Sequence, residues 1–270
     1  FEGRRLRVRD CVFRNNENGI LTWNDPSSSL LVEYSEFDSN GYGDGYSHNI
    51  YAGRIAEFTM RFCWSRGAKE GHLVKSRAAE TNLLYNYLDT DRGTASYEVD
   101  LPEGGNALLL GNVIVQRPST HNSIVVTTGQ EAAAPRPGAA LRLIHNTIVN
   151  LGPSNATLVF GGRGAPGSIV LRNNAFFGDA RITNTAVPPG AGNIHLPLAA
   201  VADLARLDFR PRGDVQPAVS LPEPEVPSAQ YVHPACGVWR GSAKTPGALE
   251  AGEAAEPLPD APARCRAPAR

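Results

Sequence analysis

The chain has little methionine, little cysteine and no surplus of charge. Its 270 residues hold one Met against 27 Gly and 21 Pro, a balance that suits a turn-rich β protein and not a helix bundle. The 26 basic and 27 acidic side chains leave a formal charge of −1, so no global positive field exists to hold nucleic acid. An anionic ligand would have to be met by a local cluster. No apolar run approaches the roughly 18 residues of a membrane-spanning helix. The opening FEGRRLRVRD lacks an apolar core, which excludes a signal peptide there. Because it starts directly in strand-like sequence, an upstream segment able to carry an export signal is expected. Cys11, Cys63, Cys236 and Cys265 show no CxxC spacing, which argues against zinc. Cys236 and Cys265 suit a disulfide in an oxidising compartment and, equally, two free thiols.

What the chain does have is a repeat. VRDCVF, VEYSEF, MRFCWS, LLYNYL, LLGNVI, LIHNTI and VLRNNAF each place a small or amide residue between apolar neighbours, at Cys11, Ser35, Cys63, Asn86, Asn112, Asn146 and Asn174. The steps are 24, 28, 23, 26, 34 and 28 residues, a period that indicates a solenoid. The runs between them are β-rich and bounded by Gly, Asn, Asp and Ser turns, without helical periodicity. Stacking short parallel strands rung on rung buries one face of every run. The recurring Asn fits a bend where stacked amides hydrogen-bond along the coil. Leucine-rich repeats compete for this period, but their LxxLxL signature is absent.

These units resemble the right-handed parallel β-helix proteins of the pectate-lyase-like superfamily, over roughly residues 4 to 185. The resemblance implies an all-β coil of about seven rungs. The organisation expected is a β-helix over 1–185, a linker and short capping helix over 186–210, and an extended Pro-rich tail over 211–270. The helix would be LAAVADLARLDF, with Leu198, Val201, Leu204 and Leu207 at helical spacing. From Pro211 onward, 11 of the 21 prolines fall in 60 residues, which predicts poorly packed chain and a disordered final stretch of ~25 residues. SAQYVHP is expected to pack back on the coil.

In a coil a residue's neighbours lie one rung away, about 4.8 Å. Counting from the landmark residues predicts one column of Trp23, Tyr51, Lys75 and Glu98, with His48 beside His72. The next rungs, NSIVVTTG and NATLVFGG, carry no charge there, so the polar column belongs to the N-terminal half. Two readings stand for Lys75: a surface lysine paired to Glu98, or a proton-abstracting base whose basicity Arg77 lowers. Arg77 suits a substrate carboxylate, and suits solvent as well. His48 and His72 fit general acid–base work or hydrogen-bonded strand ends. Tyr51 and Tyr97 fit packing between rungs or proton donation, and Trp23 fits sugar stacking or core packing. The loop GYGDGYSHN reads as a cleft wall, and Asp44 within it is a weak calcium candidate on which no cofactor is assigned.

More narrowly, KSRAAETNLLYNYLDTDRGTAS, residues 75–96, resembles the β-helix polysaccharide lyases that include chondroitinase B and alginate lyases. That resemblance implies a base role for Lys75 and matches its RGT motif to Arg92, Gly93 and Thr94. It also implies a catalytic arginine one rung later, where this chain has Tyr97 and Glu98; Arg77 or Arg54 are the available substitutes. The function expected is cleavage of an acidic, uronate-containing polysaccharide by β-elimination. The alternatives are a non-catalytic glycan-binding or structural β-helix, and a glycoside hydrolase using Glu98 and Asp100. The resemblance implies an extracellular or periplasmic location, and a monomer is expected.

Overall fold

A computed structural model describes residues 1–186, 191–250 and 256–266. The chain winds into a parallel β-solenoid of three sheets with seven, eight and seven strands. The first sheet runs from Arg5–Arg9 to Ser168–Arg172, the second from Val12–Arg14 to Ile194–Leu196, the third from Ile20–Leu21 to Arg181–Thr183. Every pairing within these sheets is parallel and joins successive rungs, such as Glu80–Leu84 with Asn106–Leu110.

The repeat marks the corner between the first and second sheets. The residue before each landmark has a left-handed backbone: Asp10, Tyr34, Phe62, Tyr85, Gly111, His145 and Asn173, with φ from 49 to 65°. Six of these seven carry side chains, each opposed by about 1 kcal/mol or more of backbone strain. The landmarks offset it. Asn86 receives the Cys63 N–H at 3.0 Å, and Asn112 receives the Asn86 N–H at 2.9 Å. Asn146 and Asn174 continue the ladder, which runs one step further than the sequence motif, to Asn193. Ser35 and the Cys63 sulfur take the same place in the early rungs.

The interior is filled by one apolar cluster from Ile20 to Phe176. Outside the bend, the rings of Tyr34, Phe62 and Tyr85 stack at 5.1 and 5.3 Å. The C-terminal region covers them, contrary to the expectation of loose chain. Residues 229–232 and 236–239 form an antiparallel hairpin, and Cys236 is disulfide-bonded to Cys265. Ala229, Leu258 and Ala261 pack on the bend, while Tyr231, Phe209 and Ala248 pack on the outward side chains Tyr87, Val113 and Val115 of the second sheet. SAQYVHP does fold back: His233 lies edge-on to Trp64 with centroids 4.4 Å apart.

The capping helix is not formed. Leu198–Ala200 make a single 3₁₀ turn, followed by a two-stranded hairpin of Val201–Asp203 with Asp208–Pro211. Val201 and Phe209 reach the second sheet from alternating positions of extended chain, which suits a flat sheet face. Parts of the expected linker (187–190) and of the final stretch (251–255, 267–270) lie outside the described residues. These coverings contact the second sheet and the bend, so the outer face of the third sheet is left for a cleft.

Candidate functional site

The third sheet breaks strict alternation at Leu73 and Val74, both of which enter the core. His72 and Lys75, three residues apart, therefore share the outer face. Tyr51 pairs with Lys75, and Lys75 with Asp100. His72 pairs with Tyr97. His48 stacks on His72 at 4.7 Å and 11°, and His72 on Tyr97 at 5.0 Å and 20°. The counts thus find Tyr51 over Lys75 and His48 over His72, and miss at both ends of the column.

At the upper end the partner of Lys75 is Asp100, because the turn before Tyr97 is two residues longer than the count allowed. Glu98, between the paired Tyr97 and Val99, points into the coil instead. It is fully buried and takes part in hydrogen bonds with Thr90 at 2.6 Å and Gln116 at 3.3 Å. Glu98 is neither a partner of Lys75 nor a substrate contact. The Glu98–Asp100 pair considered for glycoside hydrolysis is split between inside and outside. At the lower end Leu21 opposes Tyr51, and Trp23 stands 67% exposed. Arg92 borders a separate cavity of about 360 Å³ with Arg14, Asp38 and Arg66. Arg54 reaches the site only through Glu103, at 2.5 Å.

The remaining residues line a cavity of about 540 Å³. Lys75 Nζ donates to Asp100 Oδ2 at 2.7 Å and to Glu131 Oε1 at 3.1 Å. Arg77 Nε donates to Tyr51 Oη at 2.7 Å, and its two terminal nitrogens to Glu103, at 3.0 Å, and to Glu131. Tyr97 Oη accepts from Gln130 at 3.1 Å. The loop GYGDGYSHN does form a wall, with Gly45 and the 84% exposed Tyr46 at the rim. Asp44 holds that loop: its Oδ1 accepts the Tyr46 N–H, the Ser47 N–H and the Ser47 hydroxyl. Among the described residues no group of three or more His, Cys, Asp or Glu is placed to hold a metal ion.

The electrostatics reassign Lys75. Burial alone would lower its basicity, but Asp100 and Glu131 outweigh burial and the net shift is upward. Lys75 is held as an ammonium ion, the opposite of what a base requires. Asp100 is lowered, since His72 and Lys75 overcome the burial that would raise it. His48 is pushed down to about 2 by burial, with His72 and Lys75 adding repulsion. It is a neutral imidazole. Its Nδ1 accepts the His72 N–H at 3.0 Å, which places its proton on Nε2, at the cavity. His72 is committed at both nitrogens: Nδ1 accepts the Tyr97 N–H at 3.3 Å, and Nε2 lies 3.3 Å from Asp100 Oδ2.

Glu103, Gln130, Glu131 and Tyr46 were not anticipated as site residues. Glu131 comes from the rung read as uncharged, and it stands just past the strand Ile124–Thr128, whose own residues carry no charge. The cavity is thus lined by two cations, Lys75 and Arg77, two carboxylates, Asp100 and Glu131, three tyrosines and two histidines, with the Arg54–Glu103 pair joined to it through Arg77. Comparison adds no relative: no family model, no curated protein and no solved structure matches this chain.

Proposed function

We propose that the protein is carbohydrate-active and cleaves a uronate-containing polysaccharide by β-elimination. The observation that carries this reading is the carboxylate of Glu131, which lies across Lys75 and Arg77 beside the Tyr51 hydroxyl. A uronate carboxylate seated in the same place would have its charge neutralised by the same two cations. Its C5 proton becomes acidic as a result.

Lys75 and Arg77 then act as charge stabilisers for the enolate-like intermediate, the largest contribution expected in such a site. The proton moves through Tyr51. Arg77 Nε–H donates to its oxygen at 2.7 Å, and in the proposed step that oxygen, as phenolate, takes the C5 proton. The C4–O bond breaks as the C4–C5 double bond forms, and Tyr51 returns the proton to the leaving glycosidic oxygen. His48 Nε2–H offers a further hydrogen bond in the cavity. The resemblance of the 75–96 segment to β-helix polysaccharide lyases supports this reading, with Lys75 in a different role. The Cys236–Cys265 disulfide supports an oxidising compartment, extracellular or periplasmic.

Incubation with alginate, chondroitin, pectate and glucuronan tests the proposal. An ultraviolet-absorbing unsaturated uronate is expected from at least one, and Tyr51→Phe is expected to lower its production by 10²-fold or more. New reducing ends without that absorbance mean hydrolysis. Binding without either is the non-catalytic glycan-binding alternative, favoured by the pairing of Lys75 with Asp100 and Glu131 and of Arg77 with Glu103 and Glu131.

A further inference from the structure

Glu131 differs from the other acids in and beside the cavity. Asp100 is buried on a strand between Lys75 and His72, and Glu103 is clasped by Arg54 and Arg77. The Glu131 side chain is 48% exposed. Its backbone is fixed, because the Glu131 N–H donates to Pro102 O at 3.0 Å, the Gly129 N–H to Leu101 O at 2.9 Å, and the Gly164 N–H to Gly129 O at 2.8 Å. Only side-chain rotation is needed to withdraw its carboxylate into solvent.

Charge says what can replace it. With Glu131 in place, Arg54, Lys75 and Arg77 balance Asp100, Glu103 and Glu131. Without it, one positive charge is left over, and Lys75 is only 7% exposed, so water cannot fully compensate. A neutral sugar entering here would strip Lys75 and Arg77 of a partner. A carboxylate would restore both bonds.

We infer that Glu131 is the specificity-determining residue of the cavity, an internal carboxylate that only a ligand carboxylate displaces. The inference rests on the uronate reading and deepens it. A ligand that must displace Glu131 binds more weakly by the fraction of molecules in which the side chain is already withdrawn. Glu131→Gln keeps the shape and removes the competing charge. Glu131→Ala removes both.

The test is calorimetric titration of the full chain with trisaccharides derived from pectate and alginate, and with neutral cellotriose. Both variants are expected to bind an acidic trisaccharide roughly tenfold more tightly than the wild type, and to bind cellotriose measurably where the wild type excludes it, because neither ligand then has a carboxylate to displace. Acidic binding that is unchanged or weakened in variants with a wild-type circular dichroism spectrum overturns the inference, as does cellotriose binding that is the same in the wild type and the variants, or no acidic binding by any form. Cleavage is read separately. Tightening without unsaturated product from any form sinks the elimination reading and leaves Glu131 as the selector. Cleavage without tightening sinks the selector alone.

Discussion

Glu98→Gln is expected to make the solenoid more stable at neutral and alkaline pH, although it removes an ionisable residue from the middle of a strand. Burial pushes the Glu98 carboxyl up to about 8, against hydrogen bonds from Thr90 and Gln116 that act the other way. The protonated form has a coherent set of partners: Glu98 lies 2.6 Å from the Thr90 hydroxyl, which itself reaches Val115 O at 3.4 Å. Below pH ~4.5 folded and unfolded chains both carry the proton, and the group has no effect on stability. Above that value the unfolded chain releases the proton while the folded chain keeps it, so folding stability falls as pH rises. The slope is about 1.4 kcal/mol per pH unit, and the loss levels off near pH 8 at roughly 5 kcal/mol. At pH 7 the loss is about 3 kcal/mol. Glutamine cannot titrate, and its amide can donate to Thr90 in place of the protonated carboxyl. Urea unfolding of both proteins from pH 4 to pH 9 gives the difference directly, and contributions from His48 and His145 cancel between them. A stability difference that stays flat across this range refutes a carboxyl held protonated inside the coil.

Three further outcomes are expected. Asn112→Asp, nearly the same shape as the native residue, turns a donor to Leu83 O and Asn146 Oδ1 into an acceptor facing acceptors, and is expected to cost roughly 3–5 kcal/mol in the same urea assay. Reducing the Cys236–Cys265 bridge, which closes 29 residues, is expected to remove roughly 3.5 kcal/mol from the covering region, seen as faster amide exchange at Tyr231 and Leu258. Gly71→Ala would set a methyl carbon 1.8 Å from Ser47 O and 2.8 Å from His48 Nδ1, so the loop bearing His48 must shift. A stability loss of about 3 kcal/mol is expected, with loss of acidic-glycan binding in titration.

The coil was legible because its requirement is local and recurs. Each corner needs a left-handed residue followed by a compact group able to accept the preceding rung's N–H, and that pair is written into every turn from Tyr34–Ser35 to Asn173–Asn174. The counts that placed Tyr51 on Lys75 and His48 on His72 used the same corner as origin. They failed where information is not local. The longer turn before Tyr97 shifts the register by two, and the double inward step at Leu73–Val74 then decides that Asp100 faces the cavity while Glu98 faces the core. The covering region had its own signal: Tyr87, Val113 and Val115 are apolar on the outward face of the second sheet, which would not stand in water. That same covering explains where the site can be. Ionised groups stay paired and reachable only on a face left open to solvent, and the described C-terminal segments cover the second sheet and the first bend. The third sheet is among the faces left open, and there the loop bearing Gly45 and Tyr46 walls the charged column into a cavity, so the placement of the cleft follows from the open face and that loop as much as from the side chains that line it.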